Sequence, residues 1–96
     1  MSQHPADNRH TQGIADFVSG LQYDRIPQEV RARIKLLMLD ALGCGIYGAD
    51  LEWSRILQRR LGELDATRTC EVWGAGQKLS APHAALVNGT QVQGFE

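Results

Sequence analysis

Cysteine, net charge and long hydrophobic runs are all scarce in this sequence of 96 residues. The two cysteines, Cys44 and Cys70, form no CxxC pair and have no histidine pair nearby. Neither a disulfide framework nor a zinc site is therefore indicated, and we expect two buried, reduced thiols. Ten basic and eleven acidic side chains give a net charge of -1. This balance argues against a protein that coats nucleic acid or an anionic membrane, because both tasks need a cationic surplus.

A membrane-spanning pattern is missing as well. The longest apolar stretch, residues 36–49, is shorter than the roughly 20 residues that cross a bilayer, and Asp40 interrupts it. Residues 1–10 are polar, include Pro5, and have neither the apolar core nor the small-residue cleavage site of a secretory signal. We therefore expect a disordered lead over 1–10, a domain portion over 11–96, and a cytoplasmic protein.

Apolar residues spaced three and four apart predict a mostly α-helical fold. Thr11 is the expected cap of a first helix, and Asp50 is the expected cap of a third helix that runs from about residue 51 to residue 64. Between them, Pro27 followed by Glu29 predicts the start of a longer second helix, because proline suits a first turn and glutamate suits the positive end of the helix dipole. The apolar residues that carry the three helical patterns are Ile14, Phe17, Val18 and Leu21; Val30, Ile34, Leu37, Met38, Ala41 and Leu42; and Trp53, Ile56, Leu57, Leu61 and Leu64.

The region after the third helix departs from this spacing. Residues 67–73 alternate and are rich in Thr and Val, which predicts one short extended segment, and the glycine-containing residues 74–80 predict a surface turn. Ser80 and Pro82 are typical of the cap and first turn of a last helix. The apolar pattern of this helix continues through Val92 and Phe95.

The second half of the second helix has an unusual composition. Residues 36–49 contain one charge, Asp40, so we expect protein to surround this half and the carboxylate to serve a structural role more readily than a catalytic one. A stripe of small residues at spacings of three and four predicts that another helix backbone approaches closely here. The stripe consists of Ala41, Gly45, Gly48 and Ala49.

Residues 43–48 read GxGxxG, the fingerprint of dinucleotide-binding turns. That fingerprint needs a strand before it and a helix that opens from it. Here the preceding residues have helical period, so the glycines lie near the negative end of a helix dipole, which repels phosphate. The pattern therefore favours helix packing over nucleotide binding.

The histidines indicate no catalytic or metal-binding site. His83 lies in the first turn of the last helix, and no carboxylate, cysteine or second histidine stands at catalytic or metal-binding spacing from it. We therefore expect a solvated side chain. Taken by themselves, the residues indicate a helical domain with no catalytic residues, cofactor site or metal site of its own.

The order of the motifs carries more information than any single motif. Together they resemble the N-terminal region of the MmgE/PrpD family of lyases and isomerases, and the resemblance covers about residues 12–96. That family includes 2-methylcitrate dehydratase, cis-aconitate decarboxylase and iminodisuccinate epimerase. The motifs are Ile26-Pro27-x-x-Val30, Leu37-x-Leu39-Asp40-x-Leu42-Gly43, Gly48-Ala49, Val72-Trp73-Gly74 and Leu79-Ser80-Ala81-Pro82-x-Ala84-Ala85-Leu86-Val87-Asn88-Gly89-Thr90.

The resemblance implies the N-terminal part of a large helical domain in a longer, cofactor-independent enzyme, usually a homodimer. Family members act on small di- and tricarboxylates through general acid–base groups, and the resemblance implies that these groups lie beyond Glu96, so that this chain is inactive alone. It makes Asn88, Gln93 and Glu96 the candidates for substrate contacts or for support of such contacts; many members have histidine at the place of Gln93. The alternative is a stand-alone helical module for interaction or oligomerisation.

Overall fold

The computed structural model describes residues 8–94 and, over that range, has four helices and one two-stranded sheet. The mostly helical fold is therefore confirmed, and the predicted extended segment contains the first strand. The elements are α1 (Arg9–Gly20), α2 (Gln28–Gly48), α3 (Glu52–Leu64), β1 (Cys70–Val72), β2 (Gln77–Leu79) and α4 (Ala81–Gln93), with a 3-10 turn at Tyr23–Arg25. None of the helices within residues 8–94 has both the length and the hydropathy needed to cross a bilayer.

The chain divides into two compact units, Met1–Ile34 and Lys35–Glu96. In the first unit, the Arg31 guanidinium lies 4.5 Å from the centroid of the Tyr23 ring, a cation–π contact. Helix α1 begins before Thr11, so the predicted cap is wrong: Asn8 takes the cap position, without a side-chain capping bond. Arg9 and His10 are already helical, so Thr11 lies inside the first turn of α1.

The second unit has a small core between its sheet and two helices. Strands β1 and β2 pair antiparallel with Cys70 opposite Leu79 and Val72 opposite Gln77. The core residues are buried, and Leu57 and Leu61 of α3 pack against them. They are Val72, Leu79, Ala84 and Val87.

Strand β2 was not predicted. The sequence indicates one surface turn over residues 74–80, whereas the turn is confined to the four residues before β2. Gly74 and Gly76 adopt φ values of 76° and 62°, in the left-handed region that glycine enters without steric cost. Two such residues close together reverse the chain tightly enough for 77–79 to pair with β1.

Helix α3 meets the core with a face rotated from the one its apolar pattern indicates, since Leu57 and Leu61 of the predicted set pack against the core. Trp53, Ile56 and Leu64 are exposed, while Ser54 is fully buried beside the partly buried Leu57. Asp50 does not cap the helix; Leu51 occupies the cap position, and the Asp50 carboxylate instead accepts a hydrogen bond from Arg55 at 3.3 Å.

The second half of α2 packs on one side only. Gly45 and Gly48 are buried, and a Cβ added at Gly48 would overlap the backbone of Gln91 in α4, which confirms the predicted close approach of two helices. Within residues 8–94 protein covers only this side, because Leu36 and Leu39 are 59% and 65% exposed and Asp40 is exposed too. That further parts of the polypeptide surround this half stays a prediction.

Candidate functional site

A groove of about 600 Å³ runs along α4, and it contains two of the three predicted site residues, Asn88 and Gln93. The third, Glu96, lies outside the described residues. Small side chains on α4 line part of the groove, and β1 with the turn that follows lines another part. The lining comprises Ala41, Cys70, Glu71, Trp73, Ala81, Ala84, Ala85, Asn88, Gly89, Val92 and Gln93.

Asn88 binds the backbone of β1 and the residue after it. Its Oδ1 accepts a hydrogen bond from the Trp73 amide at 2.9 Å, and its Nδ2 donates to the Glu71 carbonyl at 3.1 Å. The side chain therefore pairs with backbone groups at the edge of β1, as a neighbouring strand would, and holds β1 and the residue after it against α4. This geometry supports a structural role for Asn88; any contact with substrate stays a prediction.

The charge of the groove does not suit a polycarboxylate. Among the described residues that line it, Glu71 is the one ionisable carboxylate, and no lysine, arginine or histidine takes part. A separate hollow of about 370 Å³ holds Arg68 and Lys78 together with Asp65. Binding of several carboxylates needs cations or hydrogen-bond donors around them, so the groove would need further groups to hold such a ligand.

A buried glutamine joins α4 to α2. Gln91 is fully buried, and its Nε2 donates to the carbonyls of Gly45 at 3.0 Å and Trp73 at 2.8 Å. Its Oε1 accepts from Nε2 of Gln58 at 2.8 Å, and the same Gln58 group lies 3.0 Å from the Ala49 carbonyl. The Gly45 carbonyl also accepts from the Ala49 amide at 3.1 Å, so Gln91 adds a second donor there and the network ties the end of α2 to α4.

A second polar cluster anchors the start of α4. Asp65 accepts hydrogen bonds from the Ser80 hydroxyl and amide and from His83, and these bonds hold the pKa of its carboxyl well below the usual range. The Ser80 amide lies 2.9 Å from Asp65 Oδ2, and His83 Nδ1 lies 2.7 Å from the same oxygen. An ionised carboxylate near the positive end of a helix dipole is also favourable. Ser80 is the cap residue as predicted, but its hydroxyl makes no capping bond and serves Asp65 instead.

The position of His83 corrects the expectation of a purely solvated side chain. It is 39% exposed, but Asp65 orients its ring from 18 positions earlier in the chain. Because an ionised carboxylate can only accept, Nδ1 donates the proton. Ser80 and His83 both bind the carboxylate, whereas an activated serine would bind the imidazole. The cluster therefore explains how α4 is anchored and does not form a nucleophilic site.

The GxGxxG residues lie inside α2, as expected, and their environments differ. Gly43 has open space around the position of a Cβ, while Gly45 faces the Trp73 ring and Gly48 faces Gln91. The latter two glycines serve close packing. Cys44 and Cys70 are free, but both are partly exposed, so the expectation that they are buried is wrong within the described residues. Within residues 8–94, no three His, Cys, Asp or Glu side chains are grouped as metal ligands would be.

Comparison with known proteins decides the family. The model of the MmgE/PrpD N-terminal domain matches residues 12–96, which is most of the chain and the range of the motif series. The chain belongs to the MmgE/PrpD family.

Proteins similar to this chain are found in two Aspergillus species. A cis-aconitate decarboxylase of Aspergillus terreus is 32% identical over 100 residues, which is 100% of this chain and 20% of that protein. The cis-aconitate decarboxylase-like protein oryM of Aspergillus oryzae is 29% identical and covers 90% of this chain and 18% of its own length. The chain thus spans about a fifth of the length of the curated relatives it matches. No solved structure matches it.

Sequence reasoning missed the polar residues that hold this MmgE/PrpD unit together. Gln91 lies four and seven positions after Val87 and Ala84, so its place on the buried face of α4 could have been inferred from helical period. Asp65 accepts from the amide of Thr67 two positions later, a local turn that the sequence could have suggested. Its bonds to Ser80 and His83 join residues far apart in the chain and leave no local signal.

Proposed function

We propose that this chain is the N-terminal part of a MmgE/PrpD-type lyase or isomerase that acts on a small di- or tricarboxylate. The single observation that carries the proposal is the family match over residues 12–96. The name of a similar protein, cis-aconitate decarboxylase, suggests the reaction. Decarboxylation of such a substrate is the first reaction to test, and dehydration of 2-methylcitrate is the second.

The groove geometry favours a role in which this part of the enzyme helps to form the substrate site and leaves the chemistry to other parts. The α4 groove offers apolar walls, one carboxylate and the side chains of Asn88 and Gln93, but no cation among its described lining residues. The cations and the acid–base groups that such chemistry requires would come from other parts of the polypeptide. We therefore expect the 96-residue chain to be inactive alone.

The test compares the 96-residue chain with the product of the complete reading frame, using cis-aconitate and 2-methylcitrate and following each acid by NMR. We expect turnover by the longer protein and none by the short chain. Turnover by the short chain at an enzyme-like rate would show that the catalytic groups lie within it. Failure of the longer protein on both acids would contradict the proposed substrate class.

A matched pair of variants in the longer protein tests the role of Gln93. If its amide contacts substrate, Gln93→Ala should raise KM about tenfold, the effect of one lost hydrogen bond. Gln12→Ala, in the first unit, removes a glutamine that bonds only to Asp16 in the described structure and should leave KM unchanged. An unchanged KM for Gln93→Ala would remove this residue from the substrate contacts.

The remaining expectations also belong to the longer protein. We propose that it needs no cofactor, forms a homodimer and works in the cytoplasm; the free thiols of Cys44 and Cys70 are compatible with a reducing compartment. Sedimentation of the longer protein and an assay after exhaustive dialysis against a chelator test the first two expectations.

A further inference from the structure

The hollow of about 370 Å³ between the end of α3 and strand β2 is separate from the α4 groove, and the two share no lining residue. Gln77 of β2 packs across Gly62 of α3 so closely that a Cβ at Gly62 would lie 2.6 Å from the Gln77 Nε2. The same Nε2 donates to the Gln58 carbonyl at 2.9 Å. The hollow is therefore fixed by the packing of β2 on α3.

Two cations line this hollow. Arg68 lies in the loop before β1, and Lys78 lies in β2. Both side chains are exposed, and neither forms an ion pair with another residue in the range 8–94. Glu71 stands opposite Lys78 in the antiparallel ladder, but it makes no ion pair with Lys78 and lines the α4 groove instead. The two cations are thus available to an anion from solution.

Asp65 is the one carboxylate among the described lining residues of the hollow, and its charge is already compensated. Its side chain is 5% exposed. Its oxygens accept hydrogen bonds from the amides of Thr67 and Ser80, each at 2.9 Å, and from Nδ1 of His83 at 2.7 Å. Such donors offset the negative charge of a carboxylate. The charge that the hollow presents to solvent is therefore positive.

The size and lining of the hollow select a class of ligand. An arginine binds two oxygens of one acidic group in a fork, and a lysine adds a point charge, so the pair suits an anion with at least two negative oxygens. The described lining residues include no aromatic ring on which a nucleic-acid base could stack. A hollow of this volume has the size of a small-molecule site.

We propose that the hollow binds a small oxyanion with two or more negative charges, held between Arg68 and Lys78. Polycarboxylates and inorganic phosphate share this chemistry. A bound anion would join the loop before β1 to strand β2. This site lies apart from the α4 groove and is independent of the proposed catalytic function.

NMR of the isotope-labelled 96-residue chain tests the site, with citrate in one titration and inorganic phosphate in another. Both titrations are run at constant ionic strength, so that general screening does not change. We expect saturable shifts of the backbone amide resonances of Arg68 and Lys78, and the anion that binds more tightly identifies the source. No saturable shift with either anion would overturn the proposal. An equal response to acetate, which has one charge, would overturn it as well.

Charge removal tests the two cations. Arg68→Gln and Lys78→Gln should each weaken binding about tenfold, the effect of one lost charge-assisted hydrogen bond. Arg33→Gln and Lys35→Gln are the matched controls, because they remove exposed cations from α2 and should leave binding unchanged. All four side chains are exposed, so the variants should fold like the wild type. Equal weakening by the controls would mean that the anion responds to overall charge, and it would overturn the proposed site.

Discussion

The two sides of the second half of α2 show opposite relations between residue size and burial. The inner side is glycine-lined and buried, with Gly45 against the Trp73 ring and Gly48 against the α4 backbone. The outer side carries large apolar residues such as Leu36 and Leu39, which are more than half exposed. Small residues can therefore mark a tighter interface than leucines do, because close backbone approach depends on the absence of a side chain.

The largest expected effect comes from filling the inner side. Gly48→Ala puts a Cβ into the space of the Gln91 backbone and should lower the free energy of unfolding by about 3 kcal/mol. Gly43→Ala is the matched change on the outer side, where nothing would touch the new methyl group, and should raise stability by up to about 1 kcal/mol through helix propensity. Urea unfolding followed by circular dichroism, at one low protein concentration, measures both. Equal effects would mean that the two sides of α2 do not differ as described.

A smaller effect should follow from removal of the amide that binds the inner side. Gln91→Ala removes the donor to the Gly45 and Trp73 carbonyls and the acceptor for Gln58, so stability should fall by about 2 kcal/mol. Gln93→Ala changes an exposed glutamine on the same helix and should stay within about 0.5 kcal/mol of the wild type. The same unfolding measurement checks both, and a small loss for Gln91→Ala would show that the network is not needed.

The effect of pH should separate the carboxylate of Asp65, which is hydrogen-bonded at the start of α4, from the exposed carboxylate of Asp40 on the outer side of α2. The folded-state pKa of Asp65 is lowered, chiefly by Ser80, so its contribution to stability is present above the unfolded-state pKa of about 3.9 and is lost as pH falls toward the folded-state value. Asp65→Asn should therefore lower stability at pH 7 and flatten the loss of stability below about pH 4. Asp40→Asn, at an exposed carboxylate on the outer side, should change the stability at pH 7 little. Urea titrations at pH 7, 4 and 3 measure the slope; an unchanged slope for Asp65→Asn would contradict the assignment.

Much of the helical fold could be predicted because its signals are local. The start of α2 after Pro27 and of α4 after Ser80 follow from residues within one turn of each boundary. Asp50 and Thr11 are of residue types that favour the cap position, yet Leu51 and Asn8 occupy the caps of α3 and α1. Cap preference is weak enough for local packing to override it, so helix boundaries were less predictable than helices.

The candidate site was less predictable than the fold. Asn88 and Gln93 were named from a motif series, and the structure places both in one groove. The bonds of Asn88 to Trp73 and Glu71 depend on how α4 lies against β1, and β2 itself escaped prediction because a three-residue strand has almost no periodicity. Pairing with β1, rather than the composition of residues 77–79, makes that segment a strand.

The sequence by itself determined the helical class of this MmgE/PrpD chain, the family through its ordered motifs, and the small-residue stripe of α2. These properties depend on neighbours within a few positions or on motif order. Tertiary structure decided which side of α2 is buried, which face of α3 meets the core, and which polar groups are paired. The bond between Gln91 and Gly45 joins residues 46 positions apart. Such a contact exists only after the chain has folded, because each partner must lose its water before the bond can form.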